Sequence, residues 1–187
     1  MSAILQDIEI EQGATFLWEF TEETEVKIAD GAMTTLLGVL TATLAFTVAD
    51  IGRSIVVAGA DRDGNDLRTT VLAYVSATQV TLSKPAVLSV AGAKVTITRP
   101  VDLSGATGRM QIRGDYADTT VLLSLATGSG MTLGGTSGTV AITATPIQTS
   151  AMPHRPANYD VELVLASGAV RRARWGRAHV RPEVTRT

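Results

Sequence analysis

Few side chains in this sequence stand where they could do chemistry. There is no cysteine, so disulfides and thiolate metal ligands are excluded. The two histidines, His154 among prolines and His179 among arginines, cannot by themselves build a zinc site. Sequence order does not rule out a Ser/His/Asp triad, but neither neighbourhood marks one. No Gly-x-Ser-x-Gly nucleophile elbow occurs. The glycine-rich stretch 127–138 lacks the Lys-Ser/Thr of a phosphate loop and precedes no helical pattern. Asp61-Arg62-Asp63-Gly64-Asn65-Asp66 has the spaced oxygens of a calcium loop, yet its glycine comes early. Leu72 stands where the bidentate glutamate belongs. A hairpin turn is the better reading of that segment. The expectation is a chain with no catalytic residue, no metal site and no cofactor.

Charge is the stronger signal. The formal net charge is −2, but it is unevenly spread. Residues 1–30 carry Asp7, Glu9, Glu11, Glu19, Glu22, Glu23, Glu25 and Asp30 against Lys27 alone. Residues 168–187 carry Arg171, Arg172, Arg174, Arg177, Arg181 and Arg186 against Glu183 alone. Such halves either face each other within one fold or dock between subunits, where opposed potentials fix register. Nucleic-acid binding needs a basic domain, and the isoelectric point near 5.7 argues against it. Arg171, Arg172, Arg174 and Arg177 crowd around Trp175. Under strict alternation, Val170, Arg172, Arg174, Gly176, Ala178 and Val180 share one face, and neither face reads as a core face. Arginine suits interfaces because its planar fork binds carboxylates bidentately, so Arg171, Arg172, Arg174, Trp175 and Arg177 are the candidate interface.

The elements that must carry these residues are strands. Val, Ile and Thr are frequent and fit a pleated surface, and seventeen glycines suggest many turns. Phe16, Trp18 and Phe20 share a face under period-two alternation and point to a core. Between residues 26 and 98 short apolar runs (38–46, 54–58, 69–75, 79–82 and 94–97) alternate with turn signals, the pattern of a small barrel or sandwich. Residues 83–90 read as a looser loop. From Pro100 onward a second β pattern runs through Met110 and Ile112, Val121 to Leu125, 131–133, Val140 to Ala144 and Tyr159 to Leu165. It ends in the arginine-rich strand. Residues 146–151 fit one helical turn, stopped by Pro153 and Pro156. The uncharged stretch 31–49 carries five threonines between Asp30 and Asp50 and does not read as a membrane span. The class is all-β.

Several stretches resemble a known family when taken in order. Ile8-Glu9-Ile10-Glu11-Gln12-Gly13-Ala14-Thr15-Phe16, with Trp18 and Phe20, is similar to the opening of small tail-associated proteins of tailed phages and prophages. The segment from Pro100-Val101-Asp102-Leu103-Ser104-Gly105-Ala106 to Arg109-Met110-Gln111-Ile112-Arg113 continues the pattern, as do 131–135, 159–163 and 180–185. The family resembles the Ig-like N-terminal domains of phage upper baseplate proteins. The likeness covers about 110 residues and is broken between Glu25 and Arg99, where a short loop belongs; the intervening residues resemble small β modules near tail fibres and tailspikes. The resemblance implies a discontinuous Ig-like β-sandwich (1–25 plus 99–187) with an inserted small β-barrel or β-sandwich domain (26–98). It further implies a virion structural protein of the tail tip, baseplate or fibre-attachment region, assembled in the bacterial cytoplasm. Its partners would be other virion proteins, with homo-oligomers in the particle and neither nucleic acid nor membrane bound. The alternatives are a capsid decoration or cement protein and a carbohydrate-binding module in host recognition. The latter usually displays several exposed aromatics, and aromatics are only 4% of this chain.

Overall fold

A computed structural model describes residues 3–183. Val184, Thr185 and Arg186, which enter the readings above, lie outside the described residues. In chain order the strands are β1 (Ile4–Leu5), β2 (Ile8–Glu11), β3 (Phe16–Thr21), β4 (Glu23–Met33), β5 (Val39–Thr41), β6 (Ser54–Val57), β7 (Leu67–Ser76), β8 (Gln79–Leu82) and β9 (Val90–Pro100). They continue as β10 (Thr107–Arg113), β11 (Val121–Thr127), β12 (Gly130–Leu133), β13 (Thr139–Ala144), β14 (Pro156–Val164) and β15 (Val170–Arg181). A five-residue helix, α1 (Pro146–Ser150), precedes β14. Thr145 caps it: its hydroxyl accepts from the Gln148 amide at 3.3 Å, while the Gln148 side chain accepts from the Thr145 amide at 2.8 Å. The chain is all-β, and contacts divide it into two units, residues 3–22 with 100–183, and Glu23–Arg99. The first junction falls earlier than the sequence suggested because β4 already begins at Glu23.

The discontinuous unit is one nine-stranded sheet in the order β1-β15-β14-β10-β11-β12-β13-β3, with β2 also on β15. It curls over itself. Between β11 and β12 only two residue pairs join the halves, Ala126 with Gly130 and Thr127 with Met131. The inner faces then meet as a sandwich. Trp18 of β3 packs edge-on against Tyr159 of β14 at 5.7 Å, although four strands separate them in the sheet order. Period-two alternation drives this closure. In β14 every second residue (Ala157, Tyr159, Val161, Leu163) is buried, and Met110 and Ile112 of β10 and Val140 and Ile142 of β13 meet them. Each of the buried Val, Leu, Ile and Met side chains contributes about 1.5–3 kcal/mol.

Glu23–Arg99 forms a closed barrel, β4-β5-β8-β7-β6-β9, filled by Leu40, Ile55, Val57, Val80, Val95 and Ile97. Closure makes β4 and β9, its first and last strands, neighbours. Asp50 is buried and accepts from Arg99 Nε and Nη2, both at 2.7 Å; Arg99 also donates to the Ala45 carbonyl at 2.6 Å. This clamp ties the end of β9 to the turn at Val48–Asp50. The run 38–46 is strand only at Val39–Thr41, because Leu44 takes φ 44° and the Thr43 amide turns to the Asp30 carboxylate at 2.9 Å. The acidic segment connects the antiparallel pair β6 and β7. It closes on itself, with the Asp61 amide on the Asn65 carbonyl and the Asp61 carboxylate accepting from the Arg62 amide. Among the described residues no three His, Cys, Asp or Glu side chains gather to hold a metal, and no helix is long and apolar enough to cross a membrane.

Where the barrel sequence leaves the sandwich unit, the two ends are held together. The Glu22 amide donates to the Gly138 carbonyl and the Glu22 carbonyl accepts from the Val101 amide, each at 2.8 Å. Gly138, at φ 69°, is required here, since a Cβ would lie 2.7 Å from the Glu22 carbonyl oxygen. Joining Glu22 to Pro100 through a short Gly/Ser linker is therefore expected to leave a cooperatively folding β protein. Circular dichroism through a urea titration checks this, and a random-coil spectrum contradicts it. Calcium chelation is expected to leave the melting temperature of the full chain unchanged, measured by scanning calorimetry with and without EGTA.

Candidate interaction surface

The arginine-rich strand β15 lies inside the sheet, between β14 on one side and β1 and β2 on the other. Strict alternation fails in it for a specific reason. Val161 pairs with Arg174 and Glu162 with Arg172, which leaves Ala173 unpaired as a β-bulge. The bulge shifts the phase, so Ala173, Arg174, Gly176, Ala178 and Val180 face the core and Arg172, Arg177, His179 and Arg181 are exposed. The face grouping expected from the sequence is thus corrected. β15 does have a clean core face, but it changes parity at Ala173. Gly176 allows the N-terminal segment to cross close by, because a Cβ there would sit 2.3 Å from the Gln6 carbonyl oxygen.

Arg174, one of the candidate interface residues, has its side chain buried within its own unit. Its Nη1 donates to Glu22 Oε2 at 3.0 Å and to the Ala173 carbonyl at 2.9 Å, while Nη2 donates to the Thr21 carbonyl at 3.1 Å. The guanidinium also stands 4.1 Å from the centroid of the Phe20 ring. Every buried polar side-chain atom among the described residues has a partner. Beside this group, burial first and the Asp7 charge second push the Tyr159 phenol above its ordinary range; it stays protonated and donates to the Gln6 carbonyl.

Two of the exposed arginines of β15 pair with carboxylates within the chain. Arg172 Nε lies 3.4 Å from Asp160, Arg181 pairs with Glu9, and the Arg177 amide donates to Asp7 at 2.9 Å. His179 stands 3.9 Å from the same aspartate. Parallel pairing of β2 with β15 sets Glu9 beside His179 and Glu11 beside Arg181, which brings acidic and basic ends of the sequence together. The acid-rich N-terminus is not a single surface, however: Glu22 is buried, and Glu23, Glu25 and Asp30 belong to the barrel. The Arg171 and Arg177 side chains make no ion pair among the described residues, and Trp175 is half-buried beside Asp160 of β14. Of the sequence candidates, Arg171, Arg172, Trp175 and Arg177 thus remain at least partly accessible. Glu22 was missed, because nothing local distinguishes it from Glu23 or Glu25.

No protein-family model matches this chain, and no curated protein matches it.

Removing one member of the buried pair is expected to be far more costly than removing an exposed one. Arg174→Met leaves Glu22 buried and unpaired and should destabilise the chain by about 3–5 kcal/mol. Arg172→Ala removes a solvated pair and should cost about 1 kcal/mol or less. Adding Glu22→Leu to Arg174→Met should recover part of the loss. Urea denaturation of the four proteins checks the order.

Proposed function

We propose that the chain is a non-enzymatic structural subunit of a phage virion, in the tail tip, baseplate or fibre-attachment region, acting by protein–protein assembly. The ordered sequence motifs from Ile8 to Thr185 support the virion setting. The observation that supports assembly is an apolar patch on the barrel. Thr35 bridges Ala86 in parallel, the Leu36 amide donates to the Ala86 carbonyl at 2.8 Å, and the Ala86 amide returns to the Leu37 carbonyl at 3.1 Å. This pairing sets Leu36 and Leu37 beside Val87 and Leu88, all four exposed. Contiguous exposed apolar side chains mark sites that another protein covers.

Leu36 also sits at φ 62° with its side chain 81% exposed. The left-handed region costs a leucine about 1–2 kcal/mol. No burial of that side chain within the monomer offsets the cost, which fits a residue displayed for a partner. The partners in this reading are other virion proteins or further copies of the chain, and no cofactor is needed.

Leu36→Gly combined with Leu88→Ser tests the reading, because glycine relieves the strain while both changes strip the patch. The purified double variant should melt no lower than the parent and should fail to enter particles in an assembly assay. Normal incorporation of a stable variant would reject the patch as the assembly surface.

A further inference from the structure

The outer face of the sandwich sheet carries a groove of about 310 Å³ that the assembly reading does not use. Its floor is built by two paired strands. Register sets Arg109 against Glu162, Gln111 against Asp160, and Arg113 against Asn158. Alternation puts all six on the solvent side, in rows about 4.8 Å apart across the strands and about 7 Å apart along them. The volume stands at the lower end of the roughly 300–1,000 Å³ that small-molecule sites occupy.

The carboxylates on this floor are already paired, and Arg113 is occupied by neutral acceptors. Arg109 Nε donates to Glu162 at 2.8 Å, and Arg172 of β15 lies 3.4 Å from Asp160. Arg113 donates to the Gln111 side-chain oxygen at 2.9 Å and to the Asp118 carbonyl at 2.6 Å. A charged ligand would have to break one of these pairs and leave a partner uncompensated. An uncharged ligand need only add hydrogen bonds to what remains open, namely the Gln111 amide nitrogen, the Asn158 amide oxygen and a carboxylate oxygen of Asp160.

The loop between β10 and β11 supplies a different kind of group. Arg113 holds the Asp118 carbonyl, the Asp118 carboxylate accepts from the Asp115 amide at 3.0 Å, and the Asp115 carboxylate accepts from the Tyr116 amide at 2.6 Å. This chain of bonds fixes the loop, yet the Tyr116 ring it presents is 66% exposed. Tyr116 borders the groove and also a second depression of about 380 Å³, lined by Gly114, Asn158 and Arg177. An aromatic ring held in water between two polar hollows offers an apolar face to a ligand that runs past it. Pyranose rings have that dual character, with C–H groups on one face and hydroxyls around the edge.

We propose that this groove binds a neutral oligosaccharide, with Tyr116 stacking on one sugar ring and Gln111, Asn158 and Asp160 hydrogen-bonding its hydroxyls. The site extends past Tyr116 into the second depression, so it takes a chain of sugars in preference to a single one. It does not depend on the assembly role, since none of its residues lies on the barrel patch.

The test uses the full-length chain on an array of immobilised neutral, sialylated and sulfated oligosaccharides. Titration calorimetry with the best neutral binder and with its monosaccharide follows. The expected result is binding to a neutral oligosaccharide, weaker binding of the monosaccharide, and a loss of roughly tenfold or more, about 1.4 kcal/mol, in Tyr116→Ala and in Asp160→Asn. Both variants should keep the parental melting temperature, and Tyr116→Ala should still enter particles. Absence of any neutral binder, binding only to sialylated or sulfated glycans, or full affinity in both variants would each overturn the proposal. If Asp160→Asn lowers the melting temperature, Tyr116→Ala alone decides the outcome, because its ring is exposed.

Discussion

The buried contact between Glu22 and Arg174 joins the β3 side of the sheet to β15. Glu22 is the last residue of the sandwich unit before the inserted sequence, and its backbone bridges Gly138 and Val101. Its carboxylate meets a guanidinium from β15, six places from β3 in the sheet order. The pair thus spans the two halves of the curled sheet, alongside the shared core, at the last residue before the insert. A buried pair is not in itself a large source of stability, because desolvation offsets most of the Coulomb attraction. Its role is positional: the Thr21 and Ala173 carbonyls and the Phe20 ring surround Arg174 so completely that other registers of β3 over β15 would strand a charge.

Much of the scaffold could be read from residue order. Alternation in Tyr159–Leu163, Met110–Ile112 and Val140–Ala144 located core strands, because side-chain parity is set locally by the backbone. The turn at 146–151 was legible from the stops at Pro153 and Pro156, and the insert from its change of pattern. A closed barrel, one of the two forms expected for the insert, emerges from strand pairings such as β5 with β8 and β6 with β9, which no local pattern encodes. The 38–46 run misled because apolar content alone cannot signal the left-handed turn at Leu44.

The surface was less legible than the core. A bulge of one residue at Ala173 split the expected face of β15, leaving Val170 and Arg172 exposed while Arg174, Gly176, Ala178 and Val180 stay together on the buried side. Bulges depend on the partner strand, here Val161 and Glu162, and so lie beyond any reading of β15 by itself. Gln111, Asp160 and Asn158 are likewise unremarkable in sequence. They become neighbours only when β10 pairs with β14, and the intervening chain includes three other strands.

The meeting of β4 with β9 has a kinetic side. As the chain emerges from the ribosome, β1 to β3 appear long before β13 and β15, the strands they must pair with. Long closures of that kind are slow, since the entropy of bringing distant ends together is lost before any contact forms. The barrel needs only its own residues. Once it folds, the adjacency of its first and last strands collapses the separation between Glu22 and Pro100 from a flexible loop to a near-neighbour distance. The insert then behaves as a staple that shortens the search for the domain it interrupts, and a slow or misfolded barrel would delay a sandwich with which its core shares no side chain.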